Sequence, residues 1–237
     1  MELGKLTDQE FDAVIFDMDG TLIDSTPAVV RAWTTWGAEH QLTPEQLTGH
    51  HGMPSAAVVR LLLPAERHQA AIERINELEI DDVQGIVVLP GAAEALAALR
   101  TAKNAIATSC TVPLARARIA AAALVPPSVL VTADDVEHGK PAPDPFLEAA
   151  RRLGVDPTRC LVVEDAPAGL QAARAAGCFT LAVITTTAVE ELVADAIVPD
   201  LSAVRFEVTA TGIRVRAADA AGSASPGPEE LDQRRSA

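Results

Sequence analysis

The sequence predicts an α/β fold built on a doubly wound, mainly parallel sheet, with a helix-rich insert after the first strand. Three observations predict it. Apolar runs alternate with helix-like stretches from residue 92 to residue 198, the rhythm of βα units. The first apolar run, Ala13-Val14-Ile15, has no polar alternation, as in a strand buried on both faces. Finally, 49% of the 237 residues are hydrophobic, enough to fill the core such a sheet needs.

The elements follow in order. After the first strand, the stretch 27–82 reads as helices. Val30, Trp33 and Gly37 fall on one helical face, and Ser55 reads as an N-cap for 56–63. Residues 65–78 are amphipathic, with Ile72, Ile75 and Leu78 at spacings of three. A β-like stretch over 85–89 leads into Pro90-Gly91. Helices are then predicted at 92–100, 113–123, 144–153, 168–176 and 189–194. Strands are predicted at 105–108, 129–132, 160–163, 180–184 and 196–198. Around Thr211-Gly212, residues 205–208 and 213–215 read as a terminal hairpin. Beyond Ala217, Ala, Gly, Ser, Pro and charge dominate, and 217–237 is expected to be a disordered tail.

Composition narrows the function. Aromatics are 3% of the chain and Tyr is absent, so stacking surfaces for nucleic acid are not expected. A net charge of −14 argues against polyanionic partners. A small phosphorylated metabolite stays compatible, because a metal and one Lys can reverse the local field. Cys110, Cys160 and Cys178 show no CxxC spacing, which argues for a reducing, cytoplasmic setting and against a disulfide or zinc framework. Cys110 follows a strand end, where a reactive thiol and a buried packing group are both open. Residues 1–12 are polar and do not resemble a signal peptide, and no apolar run is long enough to span a bilayer. The acidic surface is compatible with a monomer or weak oligomer. Trp33 and Trp36 suit packing between helices, with stacking on a ligand as the alternative.

The chemistry is concentrated in Phe16-Asp17-Met18-Asp19-Gly20-Thr21. Parallel sheets carry their sites at the carboxyl ends of strands, and two acids so close bind a cation or share a proton. Asp17 is the candidate nucleophile for an aspartyl-phosphate, and Asp19 the candidate acid and base. Gly20 permits a tight turn, while Thr21 offers a hydroxyl and an amide to oxyanions. An Asp-Gly pair alone marks a surface turn, but the buried-type strand before it argues for a site. Thr108 and Ser109 end another strand and suit a phosphoryl oxygen. Lys140, between Gly139 and Pro141, can pair with Asp17 and the transferring group. Glu164 and Asp165 end a third strand and complete an oxygen-rich cation site with Asp17, pointing to Mg2+. Asp165 also suits a helix N-cap.

With these four elements in order, the chain resembles the haloacid dehalogenase-like hydrolase superfamily. The matching positions are Asp17-Met18-Asp19-Gly20-Thr21, Thr108, Lys140 and Glu164-Asp165. The resemblance implies a Rossmann-like catalytic core over 1–25 and 89–216, and a helical cap over 26–88. Asp24-Ser25 and Val88-Leu89-Pro90 would be its hinges. It further implies Mg2+ held by the Asp17 side chain, the Asp19 carbonyl and Asp165, with Glu164 assisting. Asp19 sets the chain apart from true dehalogenases and phosphonate-cleaving members, which lack that second acid. β-Phosphoglucomutase-like members carry a cap His and a cap-loop Arg, where this chain has Val29 and Gly49-His50-His51-Gly52-Met53. The look is closer to 2-deoxyglucose-6-phosphate and glycerol-phosphate phosphatases, though with Met53 where a basic residue is common. The resemblance therefore implies a Mg2+-dependent sugar or polyol phosphatase, with a mutase and a non-catalytic regulator as alternatives. In the cap loop, His51 is the substrate-facing candidate; a solvated role for the His50-His51 pair stays open.

Overall fold

The computed structural model describes residues 3–49 and 52–218. In chain order its elements are β1 (Ala13–Phe16), β2 (Ile23–Asp24), α1 (Thr26–Glu39), α2 (Ser55–Leu62), α3 (His68–Asp81), β3 (Val87–Val88), α4 (Ala92–Ala98), β4 (Asn104–Ala107), α5 (Val112–Ala121), β5 (Val129–Val131), α6 (Asp144–Leu153), β6 (Cys160–Glu164), α7 (Pro167–Ala175), β7 (Phe179–Val183), β8 (Ala196–Val198), β9 (Val204–Val208) and β10 (Ile213–Ala217).

Six of the strands form one parallel sheet in the order β5-β4-β1-β6-β7-β8. The chain builds outward from β1 through β4 to β5, then returns to build β6, β7 and β8 on the other side. The order therefore reverses at β1 and β6, where ligands bind in open α/β sheets. Every residue of β1 is buried, and its alternation divides the core. Val14 and Phe16 face a large aliphatic cluster, and Phe206 of the β9–β10 hairpin meets Phe16 edge to face at 5.9 Å. Ala13 and Ile15 face a layer of small residues, Ala105, Ala107, Ala149 and Ala172, filled by Phe146. Small side chains on this face let α6 and α7 lie close to the sheet.

Helix α6 runs over 144–153 as its pattern predicts. Asp144 and Pro145 begin it, and Gly154, left-handed at φ +64, ends it. The expected helix at 189–194 is instead a short 3-10 turn, Val189–Glu191. The cause is an absent apolar face: Leu192 packs inward, while Val189 and Val193 stay exposed. The strand of the expected tail also differs, because β10 continues through Ala217. The remainder of that tail, 219–237, lies outside the described residues.

Between β2 and β3 the chain forms a helical layer with its own core of Ala32, Trp36, Val59, Leu63, Ala71 and Ile75. The Trp36 indole N–H donates to the Ala71 carbonyl at 2.9 Å, which fixes it as a packing residue. Ser55 is the first residue of α2, not its cap; its hydroxyl reaches Glu79 instead. Trp33 packs against this core, edge to face with Trp36 at 5.1 Å, and together with Val30 it also lines the cavity described below. The two ends of the layer are joined by β2 and β3, which pair antiparallel through Ile23–Val88 and Asp24–Val87. No helix among the described residues is long and apolar enough to cross a membrane.

Candidate active site

The site forms where β1 and β6 end. Asp17 follows β1 directly, Glu164 is the last residue of β6, and Asp165 follows it. All three carboxylates are buried, and each offers an oxygen within 4.8 Å of the others. Lys140 reaches them from the loop before α6. Its ammonium donates to Asp17 Oδ1 and, at 2.8 Å, to Glu164 Oε1. It also lies 5.2 Å from the Phe146 ring centroid.

Glu164 is held from both sides. Its Oε2 accepts the backbone N–H groups of Asp165 and Ala166, both at 2.7 Å. The next turn approaches so closely that a Cβ on Gly169 would lie 1.6 Å from Glu164 Oε1. Asp165 accepts from the Thr21 hydroxyl at 3.1 Å and from Thr186. Gly20, at φ +86, leaves room for it; a Cβ there would lie 2.3 Å from Asp165 Oδ2.

The electrostatics call for a cation. Burial, and after it Glu164, pushes the Asp165 carboxyl up to about 7. Burial also drives Asp17 well above the usual carboxylate range, against the pull of Lys140. For Lys140, burial opposes the charge, but Asp17 and Glu164 outweigh it and hold the ammonium protonated. One ammonium against three buried carboxylates leaves negative charge uncompensated. An all-oxygen set of this kind fits a hard divalent cation such as Mg2+.

Beside this cluster lies a cavity of about 390 Å³, floored by the sheet and roofed by the helical layer. Asp17, Asp19, Thr108, Ser109 and Asp165 line its polar end; Val29, Val30, Trp33, Leu47 and Val58 line the roof. The Ser109 hydroxyl donates to the Gly52 carbonyl of the roof at 2.8 Å. Thr108 is buried and accepts the Cys110 N–H at 3.1 Å. Thr21 is not among the lining residues; its hydroxyl is spent on Asp165. His50 and His51 lie outside the described residues.

Asp19 points toward α5. Its Oδ1 lies 2.9 Å from the Arg118 guanidinium, and its Oδ2 accepts from the Cys110 thiol at 3.1 Å. Arg118 also reaches Glu79 of α3 at 3.0 Å. All three cysteines are free and buried.

Residues 11–177 match the haloacid dehalogenase-like hydrolase family. The chain belongs to that family. Among curated relatives of this hydrolase, hexitol phosphatase A of Escherichia coli K12 is 43% identical over 175 residues, covering 71% of this chain and 81% of the relative. Glycerol-1-phosphate phosphohydrolase 1 of Saccharomyces cerevisiae is 34% identical over 191 residues, covering 75% and 76%. A solved hydrolase from Pseudomonas syringae superposes with a TM-score of 0.74 at 29% identity, over 81% of this chain and 94% of that one.

Four contributors to the hydrolase's site escaped the sequence reading. Thr185 and Thr186 follow β7 and bond to the Gly20 carbonyl and Asp165. Their position after an apolar strand was the available signal. Arg118 and Glu79 gave none: each stands among ordinary helix polar residues.

Proposed function

We propose that this chain is a Mg2+-dependent phosphatase that hydrolyses a small sugar or polyol phosphate through an aspartyl-phosphate. One observation carries the reading. Asp17, buried against Lys140, opens onto a cavity between sheet and helical layer whose polar end also bears Asp19 and Thr108. The names of the relatives support the substrate class.

Asp17 and Asp165, with the Asp19 carbonyl and help from Glu164, would hold the ion. When bound, it neutralises charge on the phosphoryl oxygens. Substrate sits with its phosphate toward Asp17 and its carbon skeleton against Val29, Trp33 and Val58. An Asp17 oxygen attacks phosphorus, the bond from phosphorus to the ester oxygen breaks, and that oxygen takes the Asp19 proton. Lys140 stays charged beside the attacking carboxylate and, with the Thr108 hydroxyl, steadies the phosphoryl oxygens. Water then gives a proton to Asp19 and attacks the same phosphorus, which frees phosphate and restores Asp17. The helical layer over 26–88 acts as the cap, hinged at the paired β2 and β3 strands. Its roof keeps bulk water from the intermediate.

The test is phosphate release from a panel of hexitol, hexose and glycerol phosphates, with Mg2+ and with chelator. Release from one or a few esters that chelator abolishes is expected. Asp17→Asn is expected to lose turnover while keeping its thermal unfolding profile. Turnover by Asp17→Asn at the wild-type rate would overturn the nucleophile. An isomerised sugar phosphate in place of free phosphate would overturn the hydrolysis.

A further inference from the structure

We propose that Arg118 is a positioning residue for Asp19, and that Glu79 makes this positioning depend on how the helical layer is seated. The inference rests on the phosphatase reading, in which Asp19 supplies a proton to the leaving oxygen.

Arg118 lies on α5, away from the strand ends that carry the rest of the site. Its side chain is 5% exposed and that of Glu79 is 4% exposed. Taking a guanidinium out of water costs several kcal/mol, and it persists only where carboxylates surround it. Burial works against the Arg118 charge, and the Asp19 and Glu79 carboxylates outweigh it. The contacts use the planar fork of the guanidinium. One terminal nitrogen lies 2.9 Å from Asp19 Oδ1 and 3.2 Å from Cys110 Sγ, and the other lies 3.0 Å from Glu79 Oε1. A rigid fork holds its two partners at a set angle, which a flexible ammonium does not.

Arg118 and Glu79 both border the cavity, but the terminal nitrogens of Arg118 are already engaged by Asp19, Cys110 and Glu79. The Arg118 Nε and Asp19 Oδ1 are both closed to solvent, and Oδ1 faces a terminal nitrogen of Arg118 at 2.9 Å. The guanidinium therefore holds the solvent-closed oxygen of the carboxylate. Cys110 holds the other oxygen, its thiol donating to Asp19 Oδ2 at 3.1 Å. Both oxygens of Asp19 are thus oriented from the α5 side.

The far end of the fork belongs to the helical layer. Glu79 is in α3, and its Oε2 accepts from the Ser55 hydroxyl of α2 at 2.8 Å. A continuous path runs Ser55–Glu79–Arg118–Asp19 from the roof of the cavity to its acid. When the layer is seated, Glu79 completes the surroundings of Arg118 and the acid is aligned. A misplacement of about 1 Å in such a group costs about 100-fold in rate.

A structural ion pair between layer and core would look the same in coordinates but not in kinetics. The ratio kcat/KM covers the steps through departure of the leaving group. An alkoxide needs a proton to leave; 2,4-dinitrophenolate does not. Arg118→Lys and Glu79→Gln are to be compared with wild type on the best alkyl ester of the panel and on 2,4-dinitrophenyl phosphate, with Mg2+. For Arg118→Lys, kcat/KM on the alkyl ester is expected to fall about 100-fold, and on the aryl ester less than about 3-fold. Glu79→Gln is expected to fall about 10-fold on the alkyl ester alone, and it carries the test if Arg118→Lys does not fold. Equal falls on both esters, or none on either, would overturn the positioning role. Wild-type silence on both esters overturns the phosphatase reading and this one with it.

Discussion

Lys140 is the residue on which the site's charge balance turns. Its ammonium is fully buried and touches Asp17 and Glu164 together. In Lys140→Met those carboxylates would face each other without a counter-charge. Removing one partner of a buried pair costs about 3–5 kcal/mol, and losing a fixed charge beside developing phosphoryl charge costs about 10²–10³ in kcat. Both losses are expected in Lys140→Met, read by urea unfolding without Mg2+ and by phosphate release with it. An unchanged kcat would remove Lys140 from the chemistry. Lys140 was legible in the sequence because Gly139 and Pro141 isolate it just before a helix. Asp17, Glu164 and Asp165 were legible because each ends an apolar strand, and strand ends converge in a parallel sheet. Arg118 was not. Nothing near it in sequence distinguishes it from Arg116, and its partners Asp19 and Glu79 lie 99 and 39 residues away. The role expected for Thr21 suffered in the same way: its hydroxyl is claimed by Asp165, 144 residues on.

Elements show where local pattern and tertiary contact agree. Helix α6 was legible to the residue because its cap signals and its buried Phe146, Ala149 and Ala150 stripe coincide. Residues 189–194 carry helix-forming side chains but no stripe to bury, and tertiary packing left one turn. Helix α7 gives a case in which propensity and packing oppose. Ala is worth about 1 kcal/mol more than Gly in a helix interior, so Gly169→Ala gains on propensity alone. The new Cβ would sit 1.6 Å from Glu164 Oε1, far inside contact, and must displace that carboxylate from Lys140. The clash wins, and Gly169→Ala is expected to melt below wild type and to bind Mg2+ less tightly by calorimetry. Helix α6 also carries a pH signature. Glu148 bonds to Arg151 at 2.7 Å and to Arg152 at 2.7 Å, and these partners hold its carboxyl down at about 2. A depressed folded pKa means stability present above the unfolded value of about 4.5 and lost as pH falls toward about 2. Arg151 is 71% exposed, so solvent screening limits the effect to about 1 kcal/mol. Glu148→Gln is expected to be less stable than wild type at pH 7, with a gap that narrows below pH about 4.5. A gap of the same size at pH 7 and in acid would show that the pairing contributes nothing.

For the whole molecule, the large term is the meeting of a net charge of −14 with a buried acidic site. Any added salt screens the surface charge and stabilises the chain a little, whatever the cation. A site ion acts differently: it binds the folded state alone and stabilises it by mass action, about 2.7 kcal/mol at 100 times its Kd. For a chain of this length that corresponds to a rise in Tm of about 5–10 °C. The two effects separate when ionic strength is held constant. Replacing K+ by Mg2+ at fixed ionic strength is expected to raise Tm in wild type, and chelator is expected to reverse the rise. Asp165→Asn removes one carboxylate of the set; its amide oxygen still accepts from one of the Thr21 and Thr186 hydroxyls, and its NH2 donates to the oxygen of the other. That variant relieves the repulsion between buried carboxylates, so without Mg2+ it is expected to melt at or above wild type. With Mg2+ it should gain little. An equal rise in both proteins would assign the stabilisation to surface screening and remove the metal from the site.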